Sequence, residues 1–220
     1  MSEPVIRFAR LTDPASYAGS RNGLERERRD RLQVADDRAA FTAAHLLVRA
    51  CAGLLLGLAP ETLVLEQECS TCGRAGHGRP SLAGRPEVYV SLSHTRGCVA
   101  ALAAHAPCGI DVEAVHGGGI PRGSLTPRES AWVREQRDPA LAFTRLWVRK
   151  EASVKAGHGN LGAVGELDVL EAAHLRDWTD LPYVGAWVTA PPRAVDDGIP
   201  SRDAPQEVAW PVVGSDRVRP

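Results

Sequence analysis

The sequence has no excess of basic residues and no long uninterrupted apolar run. Its 26 lysines and arginines stand against 27 aspartates and glutamates, which gives a formal net charge of -1. Nucleic acid is therefore not favoured as a partner, because proteins that bind it usually carry a basic excess. The longest apolar runs, near residues 51–59 and 99–104, are shorter than the ~20 residues that a membrane span needs, so we expect no membrane anchor. The first residues carry an acid and no apolar stretch, so we also expect no secretory signal.

The chain is also poor in cysteine and lysine. Its five cysteines are odd in number, and without an export signal this argues against a disulfide scaffold. We therefore expect reduced thiols and a cytoplasmic protein. The only two lysines, Lys150 and Lys155, fall in one short segment. The 21 glycines and 16 prolines show no period, which excludes collagen-like and low-complexity chains.

Hydrophobic periodicity and turn residues predict helices and strands in alternation. Helices are predicted over residues 36–58, 127–136 and 140–156. Strands are predicted over residues 87–93, 98–104, 109–113, 165–170 and 183–189. The charge-dense segment 23–38 is predicted to be a solvated helical face. Residues 69–86 are predicted to form a loop or turn, and the tail after residue 191 is predicted to be irregular.

This order predicts an α+β protein in which paired antiparallel strands and helices recur in both halves of the chain. A boundary near residues 104–107 divides it into an N-terminal lobe, residues 1–104, and a C-terminal lobe, residues 105–220, with the tail starting at about residue 191. Each lobe is expected to be a small antiparallel sheet with helices.

Two carboxylates in the segment GIDVE are a candidate metal site. On a strand, Asp111 and Glu113 point to the same face while Ile110 and Val112 pack behind them. Two adjacent anions raise each other's pKa unless a cation lies between them, and Mg²⁺ or Mn²⁺ prefers such oxygen ligands. A solvated pair on an edge strand is the alternative interpretation of these two residues alone.

A third acid lies on the predicted helix 140–156. Phe143, Trp147, Glu151 and Lys155 follow one another at intervals of four residues and form one line along the helix. A surface ion pair between Glu151 and Lys155 would explain their spacing, but not why the charges continue the line of Trp147. A helix end that offers a carboxylate to a metal and an ammonium to a phosphate explains both.

These segments together resemble a known family. GIDVE at residues 109–113 and LWVRKEASVKA at residues 146–156 resemble the two signature motifs of the 4'-phosphopantetheinyl transferases, in the larger, monomeric type that serves polyketide and nonribosomal peptide synthases. HGRPSL at residues 77–82 resembles the family's Gly-Lys/Arg-Pro motif, and VSLSHT at residues 90–95 resembles its Ser-His motif. The four motifs stand in the family's order between about residues 26 and 170.

The resemblance implies a pseudo-two-fold α+β fold of two similar lobes with coenzyme A in the cleft between them. It implies transfer of the phosphopantetheine arm to a serine of an acyl or peptidyl carrier protein, with release of 3',5'-ADP. Asp111, Glu113 and Glu151 would bind Mg²⁺, with Mn²⁺ as the alternative ion. Glu151 would also act as the base for the serine hydroxyl, and Lys155 and Asp111 would complete the catalytic set.

The resemblance also implies coenzyme A contacts. The implied residues are Arg79, Pro80, Ser93, His94, Asp111 and Lys155, with the 3'-phosphate near Arg79, Ser93 and His94. Where the family carries a basic residue just before the apolar start of its early helix, this chain has Ala40. Arg38 is the expected substitute, with Arg28 and Arg31 as alternatives.

Other interpretations remain open. Another Mg²⁺-dependent phosphoryl-transfer enzyme could use the three acids, although no GxxxxGK[ST] loop is present. A zinc-binding interaction module could use Cys69, Cys72 and His77, but a structural zinc site needs four ligands. Residues 115–125 are expected either to dock the carrier or to be an idle loop.

Overall fold

The computed structural model describes residues 2–12, 23–68 and 75–189. Within these residues the chain forms eight strands and four α-helices. The strands are β1 (Val5–Arg10), β2 (Leu65–Glu68), β3 (Ala75–Leu82), β4 (Tyr89–Thr95), β5 (Cys98–Ala104), β6 (Cys108–Ala114), β7 (Arg176–Asp180) and β8 (Tyr183–Thr189). The helices are α1 (Gly23–Arg31), α2 (Ala35–Leu56), α3 (Pro127–Glu135) and α4 (Pro139–Ala156), with short 3₁₀ helices at Pro60–Thr62 and Leu161–Glu166.

The strands form two antiparallel sheets. The first has the order β1-β5-β4-β3-β2, and the second has the order β6-β8-β7. All five strands of the first sheet precede residue 105, and all three of the second follow it. The predicted mixed α+β class with small antiparallel sheets is therefore confirmed.

Helix α2 covers the first sheet, where it packs on β5 and β4. It ends at Leu56, two residues before the predicted end, and is followed by Gly57, whose φ of 67° lies in the left-handed region that favours glycine. Small residues such as Ala44 and Ala52 and the branched Val48 let the helix lie close to the sheet. Leu54, on the outer face of the helix, is 65% exposed.

The same helix is long and apolar enough, by length and composition alone, to cross a membrane. We expected no membrane anchor because each uninterrupted apolar run is short. The helix is longer than these runs because it also contains polar residues, and its mean hydropathy remains high in spite of them. In the structure, 72% of its most apolar stretch is buried inside the protein, which is the position of a core helix.

Helix α4 covers the second sheet, where it packs on β6 and β8. Asp138 caps its first turn by accepting a hydrogen bond from the Leu141 amide at 3.0 Å, and Gly157 ends it with a φ of 99°. Gly109 of β6 lies directly under the helix backbone: a Cβ atom there would be 1.9 Å from the carbonyl oxygen of Ala152. The glycine of GIDVE therefore allows β6 to approach α4 closely.

The two sheets pack against each other. Strands β4 and β6 lie against each other, and the Ile110 amide donates a hydrogen bond to Ser91 Oγ at 3.1 Å. Phe8 of β1 also stacks on Trp178 of β7 with ring centroids 4.5 Å apart. Arg10 at the end of β1 binds the Asp180 carboxylate at 2.6 Å.

One predicted strand is absent: residues 165–170 form the end of the 3₁₀ helix and a turn. The physical reason is that side chains take the backbone groups that a sheet would need. The Lys150 ammonium donates to the carbonyl oxygens of Val164 and Leu167, and Glu129 Oε1 accepts from the Val169 amide. Strand β8 pairs with β6 on one side, and its partner on the other side is β7. Strand β7 was not predicted from the sequence.

Three N-terminal predictions also need correction. Strands β1 and β2 were not predicted, and residues 75–82, predicted as loop, form β3. A glycine- and proline-rich strand is tolerated here because β3 aligns with β4 at a single described position, Ser81 with Tyr89. The charged segment 23–38 is divided between α1 and the start of α2. It is not wholly solvated, because Glu25 is buried in an ion pair with Arg49 at 2.6 Å. The tail after residue 189 lies outside the described residues.

Candidate functional site

Strand β6 presents its two acids on one face, as the alternation predicted. Ile110 and Val112 are fully buried on the opposite face. Asp111 is only 2% exposed, and Glu113 is partly buried. The alternative of a solvated pair is therefore wrong for Asp111, although β6 is indeed an edge strand of its sheet.

Helix α4 brings the third acid and the lysine to this strand. The Lys155 ammonium lies 2.6 Å from Asp111 Oδ1, and Glu151, one turn earlier on the same line, is 7% exposed. Trp147 and Phe143 continue the line toward the start of the helix, with ring centroids 6.2 Å apart. The predicted stripe is thus one face of α4, and its charged end lies against β6.

Ser93 of β4 completes the contacts of Asp111 Oδ1. Its hydroxyl donates a hydrogen bond to this oxygen at 2.7 Å, so the serine contacts the acid directly. The other oxygen, Asp111 Oδ2, is buried and has no hydrogen-bond partner among the described residues. An unpaired buried carboxylate oxygen is costly unless a ligand or ion satisfies it.

The charges of this cluster shift its pKa values. Burial, and then the negative charge of Asp111, raise the pKa of Glu113 to about 8 and that of Glu151 to about 7. The positive charge of Lys155 opposes both shifts. Burial lowers the pKa of Lys155, but the charges of Asp111 and Glu151 outweigh this effect and raise it overall. The three carboxylates and the ammonium are therefore close enough to act as one electrostatic unit.

The donor set of this cluster suits a hard divalent cation in its chemistry. Carboxylate oxygens are the ligands that Mg²⁺ prefers, and Asp111 Oδ2 is a buried acceptor with no partner among the described residues. Across residues 2–12, 23–68 and 75–189, however, no three His, Cys, Asp or Glu side chains are placed to hold a metal ion by themselves. The nearest described cationic group is the ammonium of Lys155, 2.6 Å from Asp111 Oδ1.

His94 stands beside the cluster at the end of β4. Burial, and then the positive charge of Lys155, lower its pKa to about 4, so the ring is neutral at pH 7. Its ring lies edge-on to Phe41 of α2, with centroids 6.0 Å apart. Phe41 in turn contacts His45, and the Arg28 guanidinium lies 5.5 Å above the Phe41 ring. A row of rings thus leads from the cluster toward α1.

A pocket of about 540 Å³ lies at the far end of this row. Helices α1 and α2 and strands β2, β3 and β4 line it, with Arg28, His45 and Pro80 among its residues. The Arg28 guanidinium, held by a hydrogen bond to Gln67, belongs both to the pocket and to the row of rings. The pocket and the acidic cluster are therefore connected through the side chains of Phe41 and His94.

The other predicted arginines are dispersed. Arg79 lies by the last turn of α4, where its guanidinium is 3.4 Å from the position that a Cβ atom would take at Gly157. Arg38 donates hydrogen bonds to the carbonyl oxygens of Leu32 and Gln33 at the end of α1. Arg31 is exposed and pairs with Glu27 at 3.8 Å. Of the early arginines, Arg28 is the one that lines the pocket.

The candidate zinc ligands Cys69 and Cys72 lie outside the described residues, as does the side chain of His77. The other three cysteines are free and buried. Burial raises the pKa of the Cys51 and Cys98 thiols to about 11 and that of Cys108 to about 12. These three are therefore inert core residues at neutral pH.

Sequence reasoning missed the role of Lys150, the neighbour of Glu151 in the signature motif. Its ammonium is fully buried and lies 2.6 Å from Glu129 Oε2 of α3, which is also fully buried. Glu129 caps its own helix by accepting a hydrogen bond from the Thr126 amide at 2.9 Å. The signal was present in the sequence, because Thr126 and Glu129 have the spacing of a capping box.

Comparison with known protein families gives a match that lies in the C-terminal part of the chain. No curated protein matches the chain. Residues 107–196 match a family model, and this segment contains β6 with Asp111 and Glu113 and α4 with Glu151 and Lys155. The model is that of the 4'-phosphopantetheinyl transferase superfamily, to which this part of the chain is therefore similar.

Proposed function

We propose that the protein transfers the 4'-phosphopantetheine arm of coenzyme A to a serine of an acyl or peptidyl carrier protein, giving the holo carrier and 3',5'-ADP. The observation that carries the proposal is the cluster between β6 and α4, in which Asp111, Glu151 and Lys155 of the two matched motifs act on one another. We extend the proposal to the larger, monomeric type serving polyketide and nonribosomal peptide synthases, in the cytoplasm, with residues 1–104 and 105–220 as its two lobes.

Glu151 is the proposed base. The serine hydroxyl is a weak nucleophile at neutral pH, so it needs an adjacent acceptor for its proton. A carboxyl whose pKa is raised to about 7 is matched to this task, because it accepts a proton at the pH at which it works. As the serine oxygen forms its bond to phosphorus, the bond from phosphorus to the 3',5'-ADP oxygen breaks and Glu151 takes the serine proton.

Lys155 is the proposed partner of the developing negative charge. Displacement at phosphorus spreads charge over the phosphate oxygens, and a fixed ammonium nearby stabilises it. The carboxylates keep Lys155 protonated in spite of its burial. A divalent cation held by Asp111, Glu113 and Glu151 would add Lewis-acid stabilisation of the pyrophosphate.

The pocket is the proposed place for the nucleotide end of coenzyme A. Its lining includes Pro80 from the Gly-Arg-Pro segment and the Arg28 guanidinium, which suits an anionic group. The neutral His94 ring contacts Phe41 in the row of rings, and its neighbour Ser93 donates a hydrogen bond to Asp111 in the cluster. Arg28 therefore takes the place proposed for the early basic residue, ahead of Arg38, whose guanidinium holds backbone carbonyls.

The test is direct. A panel of apo carrier proteins is incubated with the protein, coenzyme A and Mg²⁺, and the intact mass of each carrier is measured. A mass gain of one phosphopantetheine group, lost when EDTA replaces Mg²⁺, supports the proposal. Acetyl-coenzyme A in place of coenzyme A shows whether acylated arms are also accepted. Stoichiometric zinc together with no binding of coenzyme A would instead favour the interaction module, for which Cys69, Cys72 and His77 are the candidate ligands.

A further inference from the structure

We propose that Lys155 is the built-in counter-ion of the acidic cluster and competes with the divalent cation for Asp111, so that cation binding moves the ammonium away from Oδ1. The proposal rests on the function proposed above for the cation. It adds a second role for Lys155, which is separate from the stabilisation of charge on the phosphate oxygens. Four observations carry it.

The first observation is the position of the ammonium. It contacts Asp111 Oδ1 at 2.6 Å, and the charges of Glu151 and Glu113 also act on it. A positive charge thus already lies at the side chains that the cation would bind. Because two cations repel at short range, one near Asp111 weakens the binding of the other.

The second observation is that the two carboxylate oxygens of Asp111 have different contacts. Both donors, the Lys155 ammonium and the Ser93 hydroxyl, use Oδ1, while the buried Oδ2 has no hydrogen-bond partner among the described residues. Ser93 is neutral, so it can keep the carboxylate oriented when the ammonium leaves. The acid therefore keeps one acceptor available while its charge is balanced.

The third observation is that the lysine side chain is less enclosed than the acid it binds. Its side chain is 15% exposed, whereas that of Asp111 is 3% exposed. It also lies in the last turn of α4, just before the left-handed Gly157. A long, flexible side chain at a helix end can change rotamer without moving the helix.

The fourth observation is the contrast with Lys150. The ammonium of Lys150 is fully buried and donates to Glu129 and to the carbonyl oxygens of Val164 and Leu167. These three contacts use all three of its protons, so it is fixed in place. The two lysines of the chain thus provide one ammonium that we expect to respond to the cation and one that we expect not to respond.

Nuclear magnetic resonance of ¹⁵N-labelled lysine tests this on the unaltered protein. The full chain without coenzyme A is titrated with Mg²⁺ while the two ammonium signals are followed; the Lys155→Arg variant, which lacks one of them, assigns the pair. We expect the Lys155 signal to shift with Mg²⁺ and the Lys150 signal to stay unchanged. If calorimetry detects bound Mg²⁺ while the Lys155 signal stays unchanged, the proposal is wrong.

Calorimetric titration with Mg²⁺ provides a second test. It is run at about pH 8.5, where the carboxylates with raised pKa values are ionised. Lys155→Met is expected to bind Mg²⁺ about tenfold or more tightly than the wild type, because it removes the competing charge. Lys155→Arg keeps the charge and should resemble the wild type. Arg145→Met, which removes an exposed charge from the same helix, is the matched control and should also resemble it.

The outcomes separate this inference from the function. Equal or weaker Mg²⁺ binding by a folded Lys155→Met variant, or no binding by either protein, overturns the competition. If the wild type still modifies a carrier in that case, the proposed function stands without it. If the competition is observed but no carrier is modified, the proposed function fails instead.

Discussion

The Lys155 ammonium lies 2.6 Å from Asp111 Oδ1, and this contact joins the end of α4 to β6. It links two segments that are 44 residues apart in the chain. The contact depends on the close approach of helix and strand at Gly109, on the serine that shares the same oxygen and on the burial of the whole cluster.

Gly109→Ala should separate β6 from α4. A Cβ atom at this position would lie 1.9 Å from the Ala152 carbonyl oxygen and 2.7 Å from the Ala156 amide, both of them backbone atoms. We expect a loss of about 1–3 kcal/mol in the free energy of unfolding, the range for overpacking, together with loss of carrier modification. Urea denaturation measures the first and intact mass the second. Gly117→Ala, where no atom lies within 4 Å of the added Cβ, is the control for stability and should leave the free energy of unfolding unchanged.

Lys150→Met should destabilise the protein strongly. It leaves the fully buried Glu129 carboxylate without its cation, and breaking a buried pair in this way costs about 3–5 kcal/mol. Adding Glu129→Gln neutralises that carboxylate and should restore part of the loss, which urea denaturation of the single and double variants measures. A double variant at least as unstable as the sum of both single variants would contradict this account.

The thermal stability of the protein without added metal should fall as the pH rises from about 5 to 8. The folded state raises the pKa of Glu113 to about 8 and that of Glu151 to about 7, from an ordinary 4.5, by burial and by the charge of Asp111. In this window the folded protein binds more protons than the unfolded chain, so raising the pH favours unfolding. Melting temperatures between pH 5 and 9 measure the effect.

Glutamine variants check this assignment. Glu113→Gln and Glu151→Gln should each flatten the decline, because an amide does not ionise. Glu61→Gln, which alters an exposed glutamate, should leave it unchanged. Equal slopes in all four proteins would show that these carboxyls are not responsible.

Phe8→Ala should weaken the joint between the sheets more than Arg10→Ala does. Phe8 stacks on Trp178 and also meets Trp187, with centroids 5.9 Å apart, so its loss removes aromatic packing worth about 3 kcal/mol. The Arg10 pair with Asp180 is about half exposed, and solvent screens it. Melting curves of the two variants compare the losses, and a larger loss for Arg10→Ala would contradict the prediction.

The sequence predicted elements whose periodicity is local. The stripe from Phe143 to Lys155 gave α4 and its charged end, and the alternation in GIDVE gave β6 and the shared face of its two acids. Both signals lie in residues at fixed short spacing, so they can be detected without tertiary information.

The parts that could not be predicted depend on contacts between distant residues. The 165–170 segment has a strand-like composition, but Lys150 and Glu129 take its backbone hydrogen-bonding groups and hold it as a turn. Likewise, nothing in the sequence shows that Ser93 contacts Asp111, or that Arg28 rather than Arg38 lines the pocket. These contacts depend on tertiary packing, which local propensity does not determine.

The most direct test of the account is carrier modification by Glu151→Gln. This variant keeps the shape of the side chain but cannot take the serine proton. The account predicts that the wild type, with coenzyme A and Mg²⁺, adds one phosphopantetheine group to an apo carrier, while the folded variant still binds coenzyme A and adds none. Complete modification of the carrier by Glu151→Gln at the wild-type rate would contradict the role of Glu151 as the base for the serine hydroxyl.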